Sequence, residues 1–168
     1  MDTINEDELL VYIVDDDPMF TKALETYLNT EFPGIRFVSF QNGEACLHEL
    51  QKTPDLILLD YRLDSEFTYA WDGLQILKRI NTLSPEIRVV ILSSTESVET
   101  AMDCINNGAQ EYILKNDKTF PKVKALLLEM KDELTEEEDV KIDVKQNTPQ
   151  LIGLVVLIIF IIILLLKL

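Results

Sequence analysis

The chain is short of positive charge, histidine and cysteine, and each shortage disfavours a class of function. Of its 168 residues, 15 are Lys or Arg and 30 are Asp or Glu, a formal net charge of −15. Binding to a phosphate backbone needs clustered Lys and Arg, so we expect no non-specific contact with nucleic acid. His48 has no neighbouring ligand residues and is expected at the surface. No G-x-x-x-x-G-K-[ST] loop is present, which excludes an ATPase of that type.

The two cysteines, Cys46 and Cys104, form no C-x-x-C pair, and the N-terminus has no secretory signal pattern. Cysteines of this kind are typical of reduced cytosolic proteins. We therefore expect two free thiols that fill semi-buried positions in helices.

A long apolar run closes the sequence. Leu151–Leu168 contains no polar or charged side chain before Lys167. As a helix its 18 residues would span about 27 Å, close to the roughly 30 Å of a bilayer core. A buried core helix is the alternative, but a segment apolar on all sides is more typical of lipid. We predict a single-pass C-terminal membrane anchor at 151–168, joined by an acidic linker at 135–150 to a cytoplasmic domain at 8–134.

The domain alternates between two hydrophobic periods. Short apolar runs predict strands at Leu9–Val14, Arg36–Phe40, Leu56–Leu59, Arg88–Leu92 and Glu111–Leu114. Helical spacing predicts helices from Pro18 to about Leu28, at Gly43–Gln51, at Gly73–Leu83, at Glu96–Asn106 and from about Pro121. Five apolar strands that alternate with helices predict a doubly wound α/β fold with a parallel sheet covered on both faces.

Functional side chains follow four of the predicted strands. In doubly wound folds, sites form at the carboxyl ends of the strands. The residues found there are Asp15, Asp16 and Asp17 after the first strand, Asp60 after the third, Ser93 and Ser94 after the fourth, and Lys115 after the fifth. Acids, hydroxyls and one lysine should therefore meet at one edge of the sheet.

This set of residues predicts a magnesium-dependent aspartyl-phosphate site. Clustered carboxylates repel one another without a cation, and hard oxygen ligands suit Mg²⁺. Asp60 could then act as a nucleophile toward phosphorus. Lys115 and a serine hydroxyl could hold the phosphoryl oxygens, with Ser93 favoured and Ser94 left as a competitor.

The motifs that carry these residues resemble those of CheY-like response-regulator receiver domains. The resemblance covers about Glu8 to Leu134 and depends on four stretches in order: VYIVDDDP, DLILLD, VVILSS and GAQEYILKND. It implies a flavodoxin-like sheet of strand order 2-1-3-4-5.

The resemblance also implies a role for each residue. Asp60 is the expected phosphoacceptor, with Ser93 and Lys115 holding the phosphoryl group. Mg²⁺ is expected on Asp16 directly, on Asp15 through water, on Asp60 and on the backbone carbonyl of Arg62. Tyr112 matches an aromatic switch residue, and the signal is expected on the face made by the fourth helix, fifth strand and fifth helix. Arg62 and Thr95 occupy positions that tune dephosphorylation. Asp17 lies outside the ligand set, and a role at the start of the first helix is expected instead.

Three features depart from the family pattern. The segment DYRLDSEFTYAWDG lengthens the loop after Asp60, where Asp64 and Asp72 are expected as solvated acids and Trp71 either as an interface anchor or in local packing. Asn116 replaces the common proline after the lysine. No segment after the fifth helix resembles an effector domain.

The sequence therefore predicts a membrane-tethered response regulator of a two-component phosphorelay. It would accept a phosphoryl group from a histidine kinase or phosphotransfer protein and act on an unknown downstream protein by contact, without binding DNA. It would catalyse only its own phosphorylation and dephosphorylation. The alternative is a receiver-shaped scaffold that ignores phosphorylation, or a phosphate sink. A phosphatase with an aspartyl intermediate would need an acid where Arg62 stands, so we set it aside.

Overall fold

A computed structural model describes residues 9–63 and 71–136 of the chain. Strands and helices alternate along it. The strands are β1 (Leu10–Val14), β2 (Arg36–Phe40), β3 (Leu56–Asp60), β4 (Arg88–Ser93) and β5 (Glu111–Leu114). The helices are α1 (Pro18–Glu31), α2 (Gly43–His48), α3 (Gly73–Leu83), α4 (Val98–Asn106) and α5, whose described part covers 119–136.

All five strands are parallel, in the order β2-β1-β3-β4-β5. This confirms the predicted doubly wound fold and its strand order. β3 is buried along its whole length, as expected of a central strand that packs helices on both faces. The order reverses direction between β1 and β3, and this switch point places the ends of those two strands side by side.

Short polar side chains begin four of the helices. The Asp17 carboxylate accepts hydrogen bonds from the backbone N–H groups of Met19 and Phe20 and so caps α1, which confirms the role expected for it. Asn42 and Ser97 cap α2 and α4 in the same way. Asp72 forms a reciprocal capping box with Gln75 at the start of α3. Asp72 is exposed and precedes the helix, as expected of a solvated loop acid, and it has the additional role of capping α3.

Several predicted element boundaries shift by one to three residues, each for a local reason. Asp60 and Ser93 belong to β3 and β4 rather than following them, because both strands keep their pairing to the last residue. The predicted second helix ends at His48 and continues as a separate 3₁₀ turn, Leu50–Lys52. α4 begins at Val98 because Ser97 is its cap, and α5 begins at 119, ahead of Pro121. Cys46 and Cys104 are free, as expected, but fully buried rather than semi-buried. His48 is exposed, as expected.

Contacts divide the chain into one compact unit that ends at Lys124 and another that begins at Ala125. In the second unit, residues 125–136 are helical, so the helix covers the first two positions of the predicted linker. Among residues 9–63 and 71–136, no helix is long and apolar enough to cross a membrane. The predicted anchor at 151–168, the rest of the linker, Glu8 and the loop at 64–70 lie outside the described residues.

Candidate functional site

The predicted site residues meet at the carboxyl edge of the sheet. Asp15 directly follows β1, Asp60 and Ser93 end β3 and β4, and Lys115 directly follows β5. Backbone hydrogen bonds fix these strand ends to their neighbours. The Lys115 N–H donates to the Ser93 carbonyl at 2.7 Å, and the Asp15 N–H donates to the carbonyl of Phe40 at 3.0 Å. The side chains are therefore carried by rigid strand termini.

Lys115 joins the two buried carboxylates of the site. Its Nζ lies 2.7 Å from Asp15 Oδ2 and 2.9 Å from Asp60 Oδ1. The same Nζ lies 4.6 Å from the centroid of the Phe20 ring, a distance at which an aromatic face attracts a cation. One ammonium group is thus shared between two acids and held against an aromatic ring that α1 supplies.

The two acids are almost fully enclosed, with Asp15 1% and Asp60 5% exposed. Burial raises the pKa of Asp60 from 3.8 to about 6; the Lys115 ammonium opposes this shift, and the charge of Asp15 adds to it. Burial also raises the pKa of Asp15, against the hydrogen bond from Lys115. Burial alone would lower the pKa of Lys115, but its bonds to Asp15 and Asp60 raise it overall. The lysine therefore stays charged and only partly offsets the cost of the buried acids.

The acids have the composition and spacing of a divalent cation site. Asp15, Asp16 and Asp60 each offer a carboxylate oxygen, and these oxygens lie within 4.8 Å of one another. All are hard oxygen donors, which Mg²⁺ prefers over nitrogen or sulfur. One lysine cannot neutralise three acids, so a second cation is electrostatically favoured. The donor set fits Mg²⁺.

A chain of hydrogen bonds leads from Ser93 to β5. Ser93 is fully buried, and its Oγ accepts from the Thr95 N–H at 3.0 Å. The Tyr112 hydroxyl donates to the Thr95 carbonyl at 2.8 Å. The Thr95 Oγ1 is buried and makes no hydrogen bond within the described part of the chain. Ser94 is exposed, unlike its neighbour, which favours Ser93 as the hydroxyl of the site.

Two predicted residues lie at the margin of this cluster. The backbone of Arg62 hydrogen-bonds to the Asp60 carboxylate, so the chain stays close to the site just after β3, although Arg62 is itself exposed. Asp17 uses its carboxylate at the start of α1. Its N–H donates to Asp15 Oδ1 at 3.0 Å, so Asp17 supports the site through its backbone only.

Two supporting residues were not predicted. Phe20 lies on α1, and its contact with Lys115 joins positions 95 residues apart, which no local pattern reveals. Thr119 is fully buried; its Oγ1 donates to the Leu114 carbonyl and accepts from the Asn116 N–H. It thereby braces the turn that follows Lys115. Its position as a polar residue at the first position of α5 was the available signal for Thr119.

Comparisons with known proteins agree with this geometry. The family model described as the response regulator receiver domain matches residues 11–127. The transcriptional regulatory protein ZraR of Klebsiella oxytoca is 33% identical over 106 residues, which are 62% of this chain and 22% of that protein. The DNA-binding transcriptional regulator NtrC of Escherichia coli is 33% identical over 107 residues, 63% of this chain and 21% of NtrC. The chain thus spans about a fifth of the length of these relatives.

A solved structure gives the same result for the fold. The receiver domain of NtrX from Brucella abortus superposes with a TM-score of 0.60 and 28% identity. The match covers 71% of this chain and 95% of that domain.

Proposed function

The chain belongs to the response regulator receiver domain family, and from that premise we propose that Asp60 accepts a phosphoryl group from a histidine kinase or phosphotransfer protein. The observation that carries the assignment is the Lys115 ammonium, placed within 2.9 Å of both Asp15 and Asp60 at the strand ends. Asp15 and Asp60 both contact Lys115 and both belong to the cation-site triad; we assign the acceptor role to Asp60 because it stands at the acceptor position of the receiver motif DLILLD.

Mg²⁺ is the proposed cofactor, with Asp15, Asp16, Asp60 and the backbone carbonyl of Arg62 as its protein ligands. When bound, the ion supplies positive charge that stabilises the oxygens of a phosphoryl group in transfer. Its charge also favours the ionised form of Asp60, the form that acts as a nucleophile.

The transfer itself uses side chains that are already in place. A carboxylate oxygen of Asp60 attacks phosphorus and forms an O–P bond, while the P–N bond to the donor histidine breaks and the leaving imidazole takes up a proton. Lys115 then exchanges its contact with Asp60 for one with a phosphoryl oxygen, while Asp15 keeps it in position. The Ser93 hydroxyl donates to another phosphoryl oxygen.

Tyr112 is the proposed switch residue. Its hydroxyl is bonded to the Thr95 carbonyl, and Thr95 is in turn bonded to Ser93. A shift of Ser93 toward a phosphoryl group would pull on this chain and release or re-aim Tyr112. The neighbouring α4 exposes Val98, Met102 and Ile105 at helical spacing, which suits a downstream protein that binds this surface.

We further propose that Leu151–Leu168 anchors the receiver domain in a membrane, as the apolar sequence of that segment indicates. We place the domain on the cytoplasmic side because the proposed phosphotransfer is cytosolic chemistry. Output then occurs through protein contact. DNA binding is named for NtrC, but the matched region is only about a fifth of that protein, so we do not carry it over to this chain.

The test of the site is labelling with a small-molecule phosphodonor and Mg²⁺. The wild-type chain should form an acid-stable, base-labile phosphoprotein, and Asp60→Asn should not. Asp17→Asn is the matched control, because asparagine also caps helices and the site does not use this carboxylate; labelling should persist. Label retained in Asp60→Asn would refute the assignment. A partner that binds wild type and Asp60→Asn equally well under labelling conditions would instead support the scaffold alternative.

A further inference from the structure

The exposed side of α3 carries an aromatic and basic surface that the phosphorylation site does not use. Trp71, Gln75, Lys78, Arg79 and Thr82 line an open groove of about 360 Å³. We call these five residues the α3 face. Gln75, Lys78, Arg79 and Thr82 are three or four residues apart along one side of α3, and Trp71, which precedes the helix, lines the same groove. Trp71 is 39% exposed, so part of its ring faces solvent.

The α3 face differs in charge from the rest of the domain. α3 carries Lys78 and Arg79 and no acidic residue, whereas each of the other described helices has more acids than Lys and Arg. The side chains of Lys78 and Arg79 form no ion pair with any residue in the described ranges. Within the described residues, a chain with a net charge of −15 therefore has two adjacent cations without an ion-pair partner close to an exposed tryptophan.

We propose that the α3 face rests on the anionic head groups of the membrane to which the chain is tethered. This inference depends on the proposed membrane anchor. Trp is enriched at membrane–water interfaces because its ring is apolar and its N–H is polar. Lys and Arg near an anionic surface each contribute attraction equivalent to a factor of about five in binding.

The overall negative charge does not prevent this contact, because charges farther than about 8 Å from the surface are largely screened at physiological salt. Instead, the overall negative charge determines which side of the domain faces the membrane. α3 carries no acidic residue, whereas the other described α-helices do, so an approach through α3 keeps their acids farther from an anionic surface. Two acids lie beside Trp71 and weaken the attraction: Asp72, which caps α3, and Glu44, whose carboxylate accepts a hydrogen bond from the Trp71 backbone N–H at 3.2 Å. Lipid therefore meets Trp71, Lys78 and Arg79 first.

The proposed anchor at 151–168 and the linker before it favour lipid over an acidic protein as the partner of the α3 face. Residues 137–150 lie between the described helix and the apolar segment. Fourteen residues reach at most about 50 Å, so the surface of the bilayer is always within range of the domain. The two cations need only weak affinity, because the tether makes the contact intramolecular and raises its effective concentration.

Trp71 supplies the probe for the test, since it is the only tryptophan in the chain. Full-length protein is reconstituted into vesicles of phosphatidylcholine alone or mixed with phosphatidylglycerol, and flotation shows whether it is membrane-bound. Quenching of Trp71 by head-group spin-labelled lipid then reports contact. We expect quenching in the phosphatidylglycerol vesicles, weaker quenching in phosphatidylcholine alone, and loss of the difference at high salt.

The decisive variant is Lys78→Gln with Arg79→Gln, and Lys118→Gln with Lys122→Gln is the control. Both pairs remove two exposed positive charges, so the net charge of the chain is the same in the two variants. The first pair should lower the equilibrium constant for lipid contact about 25-fold and so reduce quenching, and the second should leave quenching unchanged. Because all four residues are exposed, the fold should survive, and circular dichroism checks this.

The outcomes separate this inference from the anchor itself. Protein that fails to float refutes both. Protein that floats while Trp71 stays unquenched, or is quenched equally in the two variants, refutes only the α3 contact. If a peptide of the acidic stretch TEEEDVKID changes Trp71 fluorescence while anionic lipid does not, the face binds acidic protein and the lipid proposal is wrong.

Discussion

Lys115 reduces the electrostatic cost of burying two carboxylates side by side. It bonds to Asp15 and Asp60 at the same time and packs its charge near Phe20. Yet burial outweighs its help, since the pKa of Asp60 is still raised to about 6. Without a divalent cation, the ionised site therefore opposes folding, and this has a measurable consequence.

Asp60→Asn should stabilise the metal-free protein at neutral pH. The folded-state pKa of about 6 lies above the ordinary value of 3.8, so the folded state binds the proton more tightly than the unfolded state does. The contribution of Asp60 to stability is then fully present below about pH 4 and is lost as the pH rises through about 6. The variant removes this loss, and Lys115 keeps Asp15 as a partner. We expect a gain of about 1–3 kcal/mol in the free energy of unfolding.

Urea unfolding in EDTA, at about pH 7.5 and about pH 4, measures this effect. The gain should be present at the higher pH and nearly absent at the lower one. Asp117→Asn, a change at an exposed acid, should alter stability by less than about 0.5 kcal/mol at either pH. An Asp60→Asn protein that is less stable than wild type near pH 7.5 would show that attraction to Lys115 exceeds the burial cost.

At the scale of elements, the strands were easier to predict than the helix ends. Leu56–Leu59 and its neighbours are apolar runs, and any sheet that buries them on both faces must be parallel and covered by helices. Helix starts depend on single side chains instead. Asp72 and Gln75 form the D-x-x-Q capping pattern, a signal in the sequence that marks the start of α3.

In the same way, the site residues at strand ends could be predicted from the sequence, whereas those that depend on helix and loop packing could not. Asp15, Asp60, Ser93 and Lys115 lie at strand ends, and a parallel sheet brings such ends to one edge whatever the loops do. The contacts of Phe20 and Tyr112 depend on how helices and loops pack across long stretches of sequence. Hydrophobic period and spacing contain no information about such distances.

Gly73, the first residue of α3, packs directly against the backbone at the end of β3, where Asp60 lies. Its replacement should therefore disturb both elements. A Cβ at this position would lie 2.3 Å from the Asp60 carbonyl oxygen and 2.7 Å from Tyr61 Cα. These are backbone atoms, which cannot move aside as a flexible side chain can. We expect Gly73→Ala to lower the free energy of unfolding by about 1–3 kcal/mol, measured by urea denaturation.

Gly34→Ala is the control for that change, because a Cβ there meets no atom within 4 Å. It should be neutral or stabilise the protein by up to about 1 kcal/mol, since alanine restricts the unfolded chain more than glycine does. Equal effects of the two substitutions would mean that the packing of Gly73 against β3 contributes nothing to stability.

For the molecule as a whole, the acidic receiver is suited to water and the apolar segment at 151–168 to the hydrocarbon of a membrane. The receiver buries its own apolar strands and exposes charge, whereas Leu151–Leu168 has almost no polar side chain to expose. Two arginines within that segment provide a direct test of the proposed anchor. Each costs about 2.5–3.5 kcal/mol near the centre of a membrane helix, while each Leu, Ile, Val or Phe contributes only about 0.3–0.6 kcal/mol. The cost of two arginines is therefore comparable with the whole favourable free energy of insertion.

The full-length chain should stay with membranes through carbonate extraction, and Ile158→Arg with Ile161→Arg should move most of it to the soluble fraction. Ile158→Leu with Ile161→Leu keeps the segment apolar and should extract like wild type. The arginine variant should still label on Asp60 if the receiver folds independently of the segment, so labelling distinguishes loss of the anchor from loss of the fold. If the arginine variant resists extraction as well as wild type does, something other than insertion of this segment holds the chain to membranes. If wild type is itself soluble, the segment belongs in a protein core.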